Sequence, residues 1–205
     1  MITRMTDVSR MARTALVVVD LMPRIVGQDM GPHRGADVVA RAARLADAVR
    51  RAGGTVVLVR VERPNVAEQP PGSGFVPELE PRDGDVVVVK RTIGAFYGTG
   101  LADRLRERGV GTVVLAGLAT TMGVESTARA AADHGFDVIF AADAMSGVTA
   151  AEHEHALTVV LPRFGDVLGT GELLDRLAGS GDEQAEAQLG GVQGDDVPVA
   201  VRPPA

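Results

Sequence analysis

Short apolar runs rich in β-branched residues alternate along the chain with segments of helical periodicity. The runs cover residues 14–20, 55–62, 85–90, 112–118, 137–143 and, more weakly, 166–170. Continuous apolar strands are typical of a parallel sheet that is buried on both faces. The segments between them, such as ADVVARAARLADAVRRAGG, end near glycine as helices tend to. The pattern predicts an α/β fold, a three-layer α/β/α sandwich around a doubly wound, mostly parallel six-stranded sheet of Rossmann-like type.

The apolar runs and helical patterns lie within residues 14–178, which predicts a single domain there. Residues 1–13 are expected to be a flexible N-terminal segment. Residues 179–205 have few large apolar side chains and no periodicity, which predicts a disordered tail. Residues 63–84 are rich in proline, glycine and acids and are long for a simple connection. This segment is predicted either to form a flap over a crevice or to serve as structural padding.

Composition narrows the class of protein. The 205 residues, 45% of them hydrophobic, suffice for one domain with a sizeable core. The net charge of -6 and the scattering of arginines among acids make nucleic acid a poor candidate partner. No segment has the run of about 18 apolar residues that a membrane span needs, and residues 1–13 lack the apolar core of a signal peptide. We therefore expect a cytoplasmic protein with no membrane partner.

The sequence contains no cysteine, which excludes disulfides, thiolate metal sites and thiol nucleophiles together. His153 and His155 lie two positions apart on a predicted helix and do not face each other, so no metal site is expected. His33 and His134 are expected to be isolated surface residues. No dinucleotide-binding fingerprint occurs, and no cofactor is predicted.

Three chain segments are expected to meet at one edge of the sheet. Asp20 ends the first strand, and Lys90, the one lysine in the chain, ends the third. Residues 117–123 connect the fourth strand to its helix. Ligands of doubly wound sheets bind beyond the carboxyl ends of the strands, so these segments are expected to border one crevice. An aspartate at such a position also commonly caps a turn, and that interpretation stays open for Asp20.

The connection GLATTMGVEST predicts a helix that starts near Thr121 or Met122. Such a start would direct unpaired backbone N–H groups and the positive end of the helix dipole at the crevice. Gly123 has no side chain, so a ligand oxygen could approach the backbone closely. A capping role for Thr120 and Thr121 is the alternative interpretation of the two threonines.

Three motifs, in their order along the chain, resemble the isochorismatase-like, or cysteine hydrolase, superfamily. They are VVVD with Asp20, VVVVKRTIGAFYGTGL with Lys90, and LAGLATTMGVESTARAAADHGFDVIFAADAMSG with Gly123. In most of that family an Asp, Lys and Cys triad hydrolyses amides or related C–N bonds, and here Gly123 stands in the place of the cysteine. True isochorismatases also have glycine there and cleave a vinyl ether without a covalent intermediate. The resemblance further implies a cis peptide at Leu118–Ala119 and a homo-oligomer, a dimer or tetramer.

The resemblance implies catalytic positions at Asp20, Lys90 and Gly123. Without a thiol an amidase is not expected, because Thr120, Thr121 and Ser126 offer only hydroxyls with no obvious base. Vinyl ether hydrolysis needs a proton delivered to the enol carbon, and by resemblance Asp20 is the general acid/base with Lys90 as its partner. Burial raises and a nearby ammonium lowers the pKa of an aspartate, so its direction at Asp20 stays open.

The substrate is expected to be a small, anionic molecule. The Ala119 and Gly123 backbone amides are predicted anion donors, with Thr120 beside them. Arg91, Phe96 and Tyr97 could bind a carboxylate and stack on a small ring, or pack against a neighbouring subunit.

Glu125 and Arg129 are spaced as an ordinary helical ion pair, and a catalytic part for Glu125 is the lesser alternative. Two other functions remain open for the chain as a whole. The first is a non-catalytic protein that keeps the pocket and binds a small molecule. The second is a purely structural oligomeric component.

Overall fold

The structure, a computed structural model, describes residues 13–178. The predicted N-terminal segment, apart from Arg13, and the predicted C-terminal tail lie outside these residues. Six strands form one sheet: β1 (Thr14–Val19), β2 (Thr55–Val61), β3 (Val86–Lys90), β4 (Thr112–Leu118), β5 (Asp137–Ser146) and β6 (Gly165–Leu168). Every neighbouring pair is parallel. The predicted six-stranded parallel sheet is therefore confirmed.

In the described part of the chain, α-helices follow each strand except β2. They are α1 (Pro23–Val26), α2 (Gly35–Arg51), α3 (Leu101–Glu107), α4 (Glu125–Asp133), α5 (Ala150–His155) and α6 (170–178). A π-helical turn, Thr120–Val124, leads into α4, and a second one, Ala156–Val160, extends α5. Short 3-10 turns occur at Pro77–Leu79 and Leu161–Arg163. Within residues 13–178, no helix is long and apolar enough to cross a membrane.

The strand order β3-β2-β1-β4-β5-β6 places the start of the chain at the centre of the sheet. The chain first runs outward through β2 and β3, then returns to pair β4 with the other side of β1. The direction of winding thus reverses between β1 and β4. A crevice opens at such a reversal because the two connections leave the strand ends on opposite faces of the sheet.

Alternate side chains of β1 enter two separate cores. Leu16 and Val18 pack with α2 and with two leucines of α6 on one face of the sheet. Ala15, Val17 and Val19 pack with α3 and α4 on the other face. A strand buried on both faces explains why its sequence is a continuous apolar run, and the two cores confirm the three-layer sandwich.

The segment 63–84 serves mainly as packing. Val76 and Leu79 are buried against the α2 side of the sheet, and the Val76 N–H donates to the Leu21 carbonyl. Of this segment, Arg63 and Pro64 are the residues that border the large crevice described below. Structural padding is thus the better interpretation of most of its length.

Close contact of β1 and β4 depends on Gly117, whose φ is 118°. A Cβ at this position would overlap the Val19 carbonyl oxygen. We expect Gly117→Ala to lower the free energy of unfolding by about 3 kcal/mol or more, measured by urea denaturation, because it adds a clash to a backbone angle that alanine disfavours. Gly111→Ala is the matched control, since its nearest neighbour atom would be 3.7 Å away. Equal stabilities of the two variants would contradict this account.

Candidate active site

Asp20 and Lys90 form a buried ion pair beyond the ends of β1 and β3. Lys90 Nζ lies 2.7 Å from Asp20 Oδ2. Relative exposures are 6% for Asp20 and 2% for Lys90, so water screens the pair little. The ammonium also donates to the carbonyls of Ile93 at 2.6 Å and Thr92 at 3.4 Å. Three acceptors hold the lysine in place, and the structure brings together the two charges that the sequence placed at one edge.

The backbone of Asp20 turns sharply to present its carboxylate. Its φ is 56°, in the left-handed region that few residues other than glycine adopt. The Asp20 N–H still donates to the Val59 carbonyl at 2.9 Å, and its own carbonyl accepts from the Met22 N–H. Backbone strain of this kind costs about 1 to 3 kcal/mol and clusters at functional sites. The surrounding hydrogen bonds fix the carboxylate direction.

Burial raises the pKa of Asp20 above its usual value of 3.8, although the adjacent Lys90 and the more distant Arg24 act to lower it. The sequence left open whether the pKa of Asp20 is raised or lowered, and the structure indicates that it is raised. Within residues 13–178, Asp20 Oδ1 is buried and has no hydrogen-bond partner. A charged carboxylate oxygen is costly to bury without a hydrogen-bond donor, so this environment favours the protonated form of the carboxyl group.

Gly123 lies directly beside this carboxyl group. It belongs to the π-helical turn that follows Ala119, one residue before the start predicted from the sequence. A Cβ on Gly123 would lie 3.2 Å from Asp20 Oδ2 and 3.0 Å from Val19 Cγ1. The peptide Leu118–Ala119 is cis, as the resemblance implied. The loop thus presents a backbone without a side chain at the carboxyl group.

The Thr127 hydroxyl joins the two loops that border the site. It donates to the Gly123 carbonyl at 2.6 Å and accepts from the Ala95 N–H at 3.1 Å. Gly94 approaches the same helix closely, since a Cβ there would meet Ser126 Oγ at 2.7 Å. The loop after β3, which follows Lys90, is therefore fixed to the turn that contains Gly123.

Thr120 is fully buried behind the turn and does not border the crevice. Its Oγ1 lies 2.8 Å from Nδ1 of His153, which is also buried. The expectation that these threonines have no nearby base is therefore wrong for Thr120, although the pair lies in the packed interior. His33 stands edge-on to His153, with ring centroids 5.8 Å apart. The expectation that His33 is an isolated surface residue is also wrong, because it contacts this cluster.

The crevice has a volume of about 460 Å³, within the usual range for small-molecule sites. It contains Asp20, Lys90 and Gly123 together, with the predicted Ala119 and Arg91. The residues that line it are Asp20, Arg24, Ile25, Gln28, Met30, Val61, Glu62, Arg63, Pro64, Lys90, Arg91, Thr92, Ile93, Leu118, Ala119, Met122, Gly123 and Val148. The walls are mostly apolar, with charged groups at a few points.

Phe96, Tyr97 and Glu125 do not line this crevice. Phe96 is buried against Phe136 and the ring of His134, so His134 is not isolated either. Tyr97 is 82% exposed and borders a separate surface depression. Glu125 forms the predicted ion pair with Arg129 at 2.8 Å. The two aromatic residues that were expected to stack on a ligand ring therefore do not face the crevice.

Sequence reasoning missed Arg24 and Arg63, which both border the crevice. Arg24 belongs to the four-residue helix α1, which is too short to show periodicity. Its position four residues after Asp20 could have indicated that it lies near the same crevice. No group of three or more histidine, aspartate or glutamate side chains within residues 13–178 is arranged to hold a metal ion.

The buried His153 makes stability depend on pH. Burial and the neighbouring His33 lower the pKa of His153 below its usual 6.5. The unfolded chain therefore binds more protons than the folded protein below about pH 6.5, so stability should fall as the pH falls through that value. We expect the free energy of unfolding, measured from about pH 8 to about pH 5, to fall less steeply in His153→Gln than in the wild type. His155→Gln, at an exposed position, should keep the wild-type slope; identical slopes in all three proteins would refute the assignment.

Comparison with known proteins identifies the family to which the chain belongs. The isochorismatase domain family matches residues 14–172. The uncharacterized isochorismatase family protein YecD of Escherichia coli O157:H7 is 40% identical over 182 residues, covering 80% of this chain and 96% of that protein.

Solved structures share the fold. An isochorismatase family protein from Burkholderia thailandensis has a TM-score of 0.75 and 37% identity, covering 82% of this chain and 96% of that one. N-carbamoylsarcosine amidase from Thermoplasma acidophilum has a TM-score of 0.68 and 28% identity, covering 77% and 96%. By sequence and by structure, the chain belongs to the isochorismatase family of hydrolases.

Proposed function

We propose that this protein is a small-molecule hydrolase that cleaves a vinyl ether of the isochorismate type without a covalent intermediate. The observation that carries the proposal is the Asp20 carboxyl group, whose pKa is raised by burial and whose Oδ1 has no partner within residues 13–178. Lys90 binds the other oxygen, Oδ2, so Oδ1 is the oxygen that would carry the proton of the neutral acid. A general acid that works near neutral pH needs such a raised pKa.

The proposed reaction begins with transfer of the Asp20 proton to the terminal CH2 carbon of the enol ether. That carbon becomes a methyl group, and the ether carbon becomes an oxocarbenium ion. Water adds to the cationic carbon and returns a proton to the Asp20 carboxylate. The resulting hemiketal then collapses to a ketone and an alcohol, so the enzyme ends in its starting protonation state.

Lys90 and the loop backbone assist this chemistry. When Asp20 has lost its proton, the ammonium 2.7 Å away stabilises the carboxylate. The Ala119 and Gly123 amides would donate to an anionic group of the substrate, which both residues can meet from the crevice wall. Since Gly123 lacks a side chain, the space beside Asp20 Oδ2 is left to the substrate or water.

An amidase of the cysteine type is disfavoured because the chain has no thiol. The same absence favours the second candidate, a protein that binds a small molecule in this crevice without turnover. A homo-oligomer forms part of the proposal, supported by exposed apolar side chains near the crevice mouth, Ile93, Met122 and Val148.

Asp20→Asn tests the general acid. We expect pyruvate release from isochorismate and related enolpyruvyl ethers to fall by about 100-fold or more, because asparagine cannot deliver the proton. In D2O, the pyruvate formed by the wild type should carry deuterium in its methyl group, observed by NMR.

Asp103→Asn is the matched control, since Asp103 is an exposed carboxylate on α3 that pairs with Arg106. Thermal melts would establish that Asp20→Asn is folded. Equal rates for wild type and folded Asp20→Asn discard the role of Asp20. Ligand binding with no turnover of any vinyl ether selects the binding protein instead.

Gly123→Cys tests whether the surrounding machinery also fits family amidases. The new Cβ would contact Val19 and place a thiol beside Asp20 and Lys90 after a shift of a few tenths of an ångström. We expect ammonia release from N-carbamoylsarcosine and small amides to rise above that of Gly123→Ala, which has the same Cβ but no thiol. Vinyl ether turnover should fall in both variants because the Cβ occupies substrate space. Equal amide rates in the two variants would show that the remaining groups do not activate a thiol.

A further inference from the structure

Arg24 is held at the crevice by three separate segments of the chain. Its backbone N–H donates to the Gly72 carbonyl at 3.3 Å, and its carbonyl accepts from the Gln28 side chain at 3.1 Å. Its Nη2 donates to the carbonyl of Val61, at the end of β2, at 3.2 Å. The first two bonds fix the backbone that carries the side chain, and the bond from Nη2 restrains the guanidinium group itself.

The guanidinium group lacks an acidic partner. Within residues 13–178, no carboxylate lies within 4.0 Å of Arg24, and its buried Nε has no acceptor. Glu62, the other acid in the crevice besides Asp20, is bound by Arg60 and Arg91. A partly buried guanidinium without an anion carries a desolvation cost that an anionic ligand would offset.

The charges of the crevice as a whole favour an anion. Its wall carries four cationic side chains against two acidic ones, whereas the chain has a net charge of -6. One of these cations, Lys90, is already matched by Asp20. The crevice is therefore a local positive region on an acidic protein, and such a region concentrates small anions.

Most of the remaining wall is apolar. Ile25, Met30, Val61, Leu118 and Val148 face the crevice with Asp20 and Arg24. A ligand that fits this surface has an apolar body of modest size and at least one anionic group. A phosphate monoester is disfavoured, because Glu62 lies in the same wall and Arg24 is not supported by a phosphate-binding backbone loop.

We propose that Arg24 binds a carboxylate of a small ligand whose apolar body lies against the aliphatic wall, with the reacting bond toward Asp20. The inference rests on the proposed function, which assigns this crevice as the substrate site. Arg24 is accordingly the residue that selects acids over their neutral amides and esters.

Binding of a carboxylate at Arg24 would also change the pKa of Asp20. The positive charge of Arg24 acts to lower the pKa of Asp20. A carboxylate paired with the guanidinium cancels that field, so the bound substrate favours the protonated acid. A neutral analogue lacks this effect even when it occupies the same volume.

Calorimetric titration of the full-length protein with benzoate, benzamide and phenyl phosphate tests the inference without requiring turnover. We expect wild type to bind benzoate at least about tenfold more tightly than benzamide or phenyl phosphate, as a charge-assisted contact provides. Arg24→Gln should lose that preference and Arg24→Lys should recover part of it. Arg34→Gln, which removes an exposed cation paired with Asp37, should bind like wild type.

Equal binding of benzoate and benzamide by wild type, or no binding of either, overturns the inference even if Arg24→Gln does not fold. Tighter binding of phenyl phosphate than benzoate overturns the choice of carboxylate. Retention of the benzoate preference by folded Arg24→Gln overturns the role of Arg24. A benzoate preference that depends on Arg24, without hydrolysis of any vinyl ether, supports this inference and contradicts the catalytic proposal.

Discussion

The ion pair between Asp20 and Lys90 is the interaction on which the rest of the site depends. Neither side chain could be buried as an ion without hydrogen-bonding partners, because an unpartnered ion out of water costs several kcal/mol. The Lys90 ammonium donates hydrogen bonds to Asp20 Oδ2 and to two backbone carbonyls. The Asp20 carboxyl group, in contrast, has one oxygen without a protein partner in the described part of the chain. This asymmetry holds the lysine more firmly than the acid.

The pair exists because of the sheet topology. β1 and β3 are separated in the sheet by β2, and their side chains meet beyond the strand ends where the winding direction reverses next to β1. β4 delivers Gly123 to the other side of Asp20. Parallel strands bring all their carboxyl ends to the same edge, so three distant segments form one wall of the crevice.

The meeting of Asp20, Lys90 and Gly123 could be predicted because apolar runs mark the strands and each residue follows a run. The pair of Glu125 and Arg129 could be predicted from helical spacing alone. The side-chain directions of Phe96 and Tyr97 could not, because the loop after β3 has no periodicity. His153 contacts a partner 33 residues away, and no local pattern encodes such a contact. Arg24 lies on a single helical turn, which leaves too few positions for a repeat.

The hydrogen bonds of the Thr127 hydroxyl determine which parts of this site can change separately. A single hydroxyl joins the backbone at position 123 to the loop that follows the lysine, and it does so without involving any reactive group. The spacing of the crevice walls is thus supported from the helix interior by hydrogen bonds that involve the backbone, and not the side chain, of position 123. A change of the residue at position 123 is therefore separable from a change in the crevice walls, because it removes neither of these hydrogen bonds.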